Sequence, residues 1–143
     1  MMPIIFAIIS GIAMSLQGVF NTRLGEKIGI WETNVLVQAS GLILTLIIAF
    51  FLGKGSYREL RDVNKLYLLG GALGVIIIFT VMKSIGGMGA TYGIGIILVA
   101  QLLAAALIDA FGLFDSQKVN FSIKEILGVA IMVIGIIVFK WKH

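Results

Sequence analysis

Polar side chains that lie inside otherwise apolar stretches are the residues of this chain that could do binding chemistry. Five are amides and one is a carboxylate: Gln17, Asn21, Asn34, Gln38, Gln101 and Asp109. Several are four residues apart, a spacing that places side chains on one face of a helix. An amide both donates and accepts hydrogen bonds without carrying charge. The pattern therefore predicts a polar cavity that recognises hydrogen-bonding groups more than full charges.

A simpler interpretation stays open for each of these residues. Amides in membrane helices also hydrogen-bond neighbouring helices, at about 0.6 kcal/mol on average. Asp109 could bind a cation or carry a coupling proton, or it could lie among lipid headgroups, since it is close to the Gly112-Leu113 end of its apolar stretch. Polar stripes on three separate stretches together favour the cavity.

The elements that would position these residues are membrane helices. The chain has 143 residues, 59% of them hydrophobic and 13% charged, whereas soluble domains have about 25% charged residues. A lipid-exposed backbone must satisfy its own hydrogen bonds, which favours helices. We predict an all-α integral membrane protein with a single membrane domain, residues 1–143. Its five transmembrane helices are expected at approximately 3–22, 31–52, 66–83, 89–112 and 122–141.

The first and last helices need separate arguments. The first stretch lacks the basic beginning of a signal peptide and four more apolar stretches follow it, so we expect it to be retained. The charge-free core of the last helix is short, but Lys124 and Lys140 flank it and could extend their ammonium groups into water. Phe121 and Trp141 would then anchor its two ends at the membrane interfaces.

Composition also limits the chemistry. The chain has no cysteine, and its one histidine is His143. Disulfides, thiolate metal sites and histidine-based triads are excluded. We expect no metal, no cofactor and no enzymatic activity, because a membrane-embedded enzyme would need a convergent acid-base cluster and Asp109 has no obvious partner.

Positive charge is divided almost equally between the two sides of a five-helix protein. One side has Lys54, Arg58, Arg61, Lys65, Lys118 and Lys124, and the other has Arg23, Lys27, Lys83, Lys140 and Lys142. Orientation normally follows an excess of Lys and Arg in cytoplasmic loops. We therefore predict dual topology and an antiparallel homodimer, which would complete a ten-helix inverted-repeat assembly. The alternative is one topology set by other factors. Charge on both faces does not indicate nucleic-acid binding.

Three segments resemble a known family. These are Gly11-Ile-Ala-Met-Ser-Leu-Gln-Gly18 with Asn21-Thr-Arg-Leu-Gly25, then Leu69-Gly-Gly-Ala-Leu-Gly74, and then Ala100-Gln-Leu-Leu-Ala-Ala-Ala-Leu-Ile-Asp109-Ala-Phe-Gly112-Leu. They resemble the small five-helix, YdcZ-like inner-membrane branch of the drug/metabolite transporter superfamily, over nearly the whole chain. The resemblance implies a multi-pass protein of the bacterial plasma membrane.

The sequence departs from the related small multidrug exporters at one position. The resemblance implies a link to those exporters, which use a glutamate midway along the first helix. The first apolar stretch of this chain has no carboxylate and contains Gln17 instead. A neutral amide cannot exchange a proton near neutral pH. We expect a transporter that binds a small polar or amphipathic solute between helices one, two and four. It would work by alternating access, with the two protomers exchanging roles. The alternative is a non-transporting membrane scaffold, or a partner subunit of a related transporter.

Overall fold

The computed structural model describes residues 1–119 and 122–141. Within these ranges the protein has five α-helices, and the rest is short 3₁₀ turns and connections. The helices are α1 (Met2–Ile28), α2 (Ile30–Leu52), α3 (Gly70–Met88), α4 (Ala90–Phe111) and α5 (Ile123–Lys140). Phe121, predicted as an interfacial anchor, lies outside the described residues, as do Lys142 and His143.

In the part of the chain that the structure describes, four segments are long and apolar enough to cross a membrane: Met2–Ile28, Ile30–Leu52, Lys65–Met88 and Ala90–Phe111. The all-helical prediction is thus confirmed, with four helices meeting both criteria. Helix α5 has 18 residues and contains Lys124, Glu125 and Lys140. Its charges are confined to its two ends, and the predicted fifth crossing stays a prediction.

Helix α1 continues past its predicted end. The sequence placed a connection at residues 23–30, but the chain stays helical to Ile28 and only Gly29 separates α1 from α2. Arg23 and Glu26 form an ion pair of 3.1 Å on the exposed side of this last turn, and such i,i+3 pairs support a helix. Charged residues end the apolar stretch without ending the helix, which explains the wrong boundary.

Glycine makes two abrupt connections between helices. Gly29 has φ 101° and ψ 152°, and Gly89, between α3 and α4, has φ 81° and ψ 161°. This backbone region is essentially restricted to glycine. The break predicted between the helices at 66–83 and 89–112 is accordingly too long, because α3 is helical as far as Met88 and α4 begins at Ala90.

The beginnings of α3 and α5 are defined by side-chain caps. Asn64 accepts a hydrogen bond from the Leu66 backbone N–H at 3.1 Å and starts a 3₁₀ turn, Lys65–Leu69, so α3 begins at Gly70 and not at residue 66. Before α5, the Ser122 hydroxyl accepts from the Lys124 N–H while Glu125 accepts from the Ser122 N–H. These reciprocal bonds satisfy backbone donors that a helix start leaves unpaired.

The chain forms two compact units, Met1–Lys83 and Ser84–His143. In the first unit α1 packs against α2, and in the second α4 packs against α5. The pattern of burial is the one expected for a membrane protein. Large apolar side chains form the exposed surface, and four of the buried residues are polar. The single membrane domain over residues 1–143 stays a prediction.

Candidate solute-binding site

The first unit contains a buried polar cluster, which we define as Asn21, Thr22, Thr33 and Asn34. Asn21 and Thr22 lie in α1, before Gly29, and Thr33 and Asn34 lie in α2, after it. At about 1.5 Å of rise per residue, all four are within about 12 Å of Gly29 along their helices. The buried polar cluster therefore belongs to the end of the α1–α2 pair where the two helices join.

Asn34 is the best-defined member of the cluster. Its side chain is 3% exposed, and its Nδ2 donates to the backbone carbonyl of Val75 in α3 at 2.9 Å. Its Oδ1 is buried and accepts no hydrogen bond from the described residues. A buried acceptor without a partner costs about 1–3 kcal/mol. The free Oδ1 is thus a place where a donor from outside this unit would be stabilising.

Gln38 lies one turn after Asn34 and faces the same stretch of α3. A Cβ built on Gly74 would be 3.1 Å from Nε2 of Gln38. The glycine therefore gives the half-buried amide room to lie against the α3 backbone. The predicted α2 stripe of Asn34 and Gln38 is accordingly oriented towards Gly74 and Val75.

The two threonines of the cluster are satisfied within their own helices. Thr22 Oγ1 donates to the Gly18 carbonyl at 2.7 Å, and Thr33 Oγ1 donates to the Gly29 carbonyl at 2.8 Å. A small residue lets the helices approach here, because a Cβ on Gly25 would be 3.3 Å from Met82 Sδ and 3.7 Å from Thr33 Oγ1. The threonines thus fill space, and their hydroxyls are already occupied.

The other predicted site residues are exposed. Gln17 lies one turn before Asn21 in α1, while Gln101 and Asp109 lie in α4, in the second unit. Gln101 falls midway along the 22 residues of α4, where the apolar layer makes an unpaired amide costly. The structure therefore buries Asn21 and Asn34 and half-buries Gln38. A cavity that also includes the exposed Gln17, Gln101 and Asp109 stays a prediction.

Asp109 lies close to the end of α4, two residues before Phe111. Its backbone carbonyl accepts from the Val119 N–H at 2.9 Å, and the neighbouring Ile108 carbonyl accepts from the Ser116 hydroxyl at 3.2 Å. These contacts cover carbonyl groups that a helix end leaves unpaired. The backbone carbonyl of Asp109 thus helps to end α4, and this role does not involve its exposed carboxylate.

The electrostatics of the buried cluster are neutral. Among the described residues, none of the buried ones is Asp, Glu, Lys or Arg. No group of three or more His, Cys, Asp or Glu that could hold a metal ion occurs within residues 1–119 and 122–141. The chemistry on offer in this cluster is hydrogen bonding by amides.

The chain was compared with known proteins and families. A family described as "Putative inner membrane exporter, YdcZ" matches residues 2–138. The chain belongs to the YdcZ family. Neither the curated proteins nor the solved structures gave a match.

Membership of the YdcZ family confirms the resemblance drawn from the glycine, glutamine and asparagine motifs. It also identifies the chain as a transmembrane protein of the inner-membrane transporter type. The match extends through most of α5, so the family spans both units of the structure.

Sequence reasoning missed several contacts of this YdcZ-family chain. Trp31 is 59% exposed and stacks on Phe79, with ring centroids 4.8 Å apart. The Val75 carbonyl could not be foreseen as an acceptor, since a helical carbonyl normally bonds its own helix. One signal was available: each buried amide is adjacent in sequence to a threonine, as Asn21-Thr22 and Thr33-Asn34.

Proposed function

We propose that this protein transports a small polar or amphipathic solute by alternating access, working as an antiparallel homodimer. The observation that carries the proposal is the buried Asn34, whose Nδ2 is occupied by Val75 while Oδ1 has no partner among the described residues. An N–H or O–H group of the solute would donate a hydrogen bond to this Oδ1. Asn21, Gln38 and Gln17 would supply further hydrogen bonds, and Gln101 and Asp109 would contribute from α4.

The proposal includes five crossings, with α5 as the fifth. Helix α5 packs against α4, and a Cβ on Gly95 would be 3.2 Å from Cγ1 of Ile136. The 18 residues of α5 extend over about 27 Å at 1.5 Å per residue. Lys124 and Lys140, at its two ends, could keep their charges in water while the middle lies in lipid.

The antiparallel homodimer is supported by two features. The Lys and Arg residues divide six to five between the sides of a five-crossing chain, which gives no basis for one orientation. Gln17 and Gln101 are exposed in the single chain, and an exposed amide within lipid needs a partner. A second, inverted copy would cover such groups and complete ten helices around a shared cavity.

Topology is tested with reporters fused to the carboxyl terminus, one active only in the cytoplasm and the other only outside the membrane. Both are expected to give signal at similar expression levels. Adding two lysines to the connection between α2 and α3 should shift the balance to one side. Signal from one reporter alone would overturn the dual topology, and with it the homodimer of inverted copies.

Transport is tested with purified protein in liposomes, against a library of neutral and charged polar metabolites. We expect some solutes to raise the thermal unfolding midpoint and to be taken up. Asn34→Ala, Gln17→Ala and Gln101→Ala should each weaken both effects. Ser40→Ala is the matched control, because the exposed Ser40 hydroxyl bonds only the Val37 carbonyl of its own helix, at 3.0 Å. Uptake that survives all three substitutions would overturn the site.

A non-transporting scaffold, or a partner subunit of a related transporter, is the competing function. One observation favours it: the buried residues described here include no carboxylate that could exchange a coupling proton. Absence of binding and flux for every solute class, with a folded protein, would support this alternative. The family description supports transport, and it supports export as its direction. The bacterial plasma membrane is the proposed location.

A further inference from the structure

The second unit contains two neighbouring cavities between α4 and α5 that share one side chain, Tyr92. The first is a cleft of about 600 Å³ at the beginning of α4, bordered by Gly89, Thr91, Tyr92, Phe139 and Lys140. The second, of about 300 Å³, lies further along α4, where Tyr92, Ile96, Leu103, Val133 and Ile137 contribute to its walls. We refer to them as the polar mouth and the apolar trough.

Lys140 gives the polar mouth a fixed positive charge. Its Nζ lies over the Tyr92 ring, 5.0 Å from the centroid. A cation–π contact of this kind holds the ammonium by its interaction with the ring face, leaving its other side open to the mouth. Thr91 borders the same cleft and adds a hydroxyl group to it.

The apolar trough has a different character. The residues that border it are aliphatic apart from Tyr92, and no charged residue is among them. It extends from the Tyr92 turn to Leu103, over three turns of α4. A ligand that fills both cavities must therefore have a negatively charged end and a hydrocarbon end.

We propose that the groove formed by the polar mouth and the apolar trough binds an anionic phospholipid, with the headgroup phosphate at Lys140 and an acyl chain along α4 and α5. The positive charge of Lys140 favours an anionic headgroup, and the aliphatic lining of the apolar trough favours a hydrocarbon tail. The location agrees with this occupant, because Lys140 ends α5 and headgroups lie where membrane helices end.

The groove is separate from the buried polar cluster. All the residues that border it belong to the second unit, and those of the cluster belong to the first. Lipid binding here does not depend on the protein being a transporter. A negative result for lipid binding and a negative result for solute transport can therefore be told apart.

The test titrates purified protein in a neutral detergent with dioleoylphosphatidylglycerol, dioleoylphosphatidylcholine or glycerol 3-phosphate, and follows the thermal unfolding midpoint. We expect the anionic lipid to raise the midpoint at concentrations where the zwitterionic lipid and the free phosphate ester do not. Lys140→Ala should weaken the apparent affinity for the anionic lipid about fivefold to tenfold, the scale expected for one interfacial lysine.

Two further variants separate the groove from general charge attraction. Lys124→Ala removes the same charge from the other end of α5 and should leave the affinity unchanged. Ala100→Phe adds a ring in the trough, which Ala100 borders, and should reduce the effect of the lipid without changing charge. Equal losses in Lys124→Ala and Lys140→Ala would overturn the proposal, as would equal stabilisation by all three additives or full lipid binding by Ala100→Phe.

Discussion

The side chain of Asn34 in α2 donates a hydrogen bond to the backbone carbonyl of Val75 in α3, with 2.9 Å between Nδ2 and the oxygen. The two residues are 41 positions apart, so the bond joins segments that are distant in sequence. It uses one of the two N–H groups of the amide, whereas the buried acceptor Oδ1 has no hydrogen-bond partner among the described residues. Asn34 thus combines a structural contact with a free binding atom.

Asn34→Ala should lower the free energy of unfolding by about 0.6 kcal/mol, the average for hydrogen bonds between membrane helices, and by no more than about 1.7 kcal/mol, the largest value found. The measurement is thermal unfolding of the detergent-solubilised protein. Ser40→Ala, on the same helix but exposed, should leave the midpoint unchanged. An Asn34→Ala protein as stable as the wild type would show that the Val75 contact contributes nothing.

Gly29→Ala should destabilise the protein by about 1–3 kcal/mol, because Ala would have to occupy a backbone region that is nearly exclusive to glycine. The loss should be similar to that of Gly89→Ala. Both glycines have positive φ, and the Glu32 carboxylate that a Cβ on Gly29 would meet is the end of an exposed, flexible side chain that can move away.

Gly11→Ala is the control for these two variants. Gly11 is helical, without positive φ, and its added Cβ would meet nothing within 4 Å. Because Ala favours a helix over Gly by up to about 1 kcal/mol, Gly11→Ala should be neutral or stabilising in the same thermal assay. Equal destabilisation by all three substitutions would contradict the backbone explanation.

Gly95→Val should separate α4 from α5 at the position of Ile136. A Cβ at residue 95 would already be 3.2 Å from Cγ1 of Ile136, and overpacking of this kind costs about 1–3 kcal/mol. Ile136→Ala should recover part of the loss, giving a coupling energy of about 0.5 kcal/mol or more in a double-mutant cycle. Gly128→Val, in α5 with open space around it, should have little effect. Strict additivity would show that the two residues do not pack.

Trp31→Ala should cost about 0.5–1.5 kcal/mol beyond the lost burial, because its ring stacks on Phe79 with 13° between the ring planes. Trp31→Phe should retain part of this energy. The comparison is made by thermal unfolding, with Trp141→Ala at an exposed position as control. If Phe and Ala at position 31 are equally destabilising, the residue acts at the interface and the stack is unimportant.

The helices could be predicted from the sequence because charge-free stretches directly reflect the cost of charge in lipid. Their ends were less accurate, since a helix does not have to stop where its apolar stretch stops. Arg23 and Glu26 show this, as they pair on a turn that the sequence analysis assigned to a connection. Conversely, Lys65–Leu69 belongs to an apolar segment but forms a 3₁₀ turn.

The candidate site was only partly predictable. Periodicity identified Asn34 and Gln38 as one face of α2, and both lie against α3. The choice of the Val75 carbonyl as acceptor depends on how closely α2 and α3 approach at Gly74, which no local pattern encodes. The α4–α5 groove was missed for a related reason. Tyr92 and Lys140 are far apart in sequence, and their contact follows from the packing of two helices.

The single residue between α1 and α2 has a consequence for how the chain enters a bilayer. Because Gly29 is the only residue between α1 and α2, the linker is too short for α1 to cross the membrane while α2 remains outside it. We therefore expect α1 and α2 to insert together, so that the direction of α1 also fixes the direction of α2. The α1–α2 pair is then the smallest part of the protein that can insert, and a copy of the opposite orientation has both helices reversed.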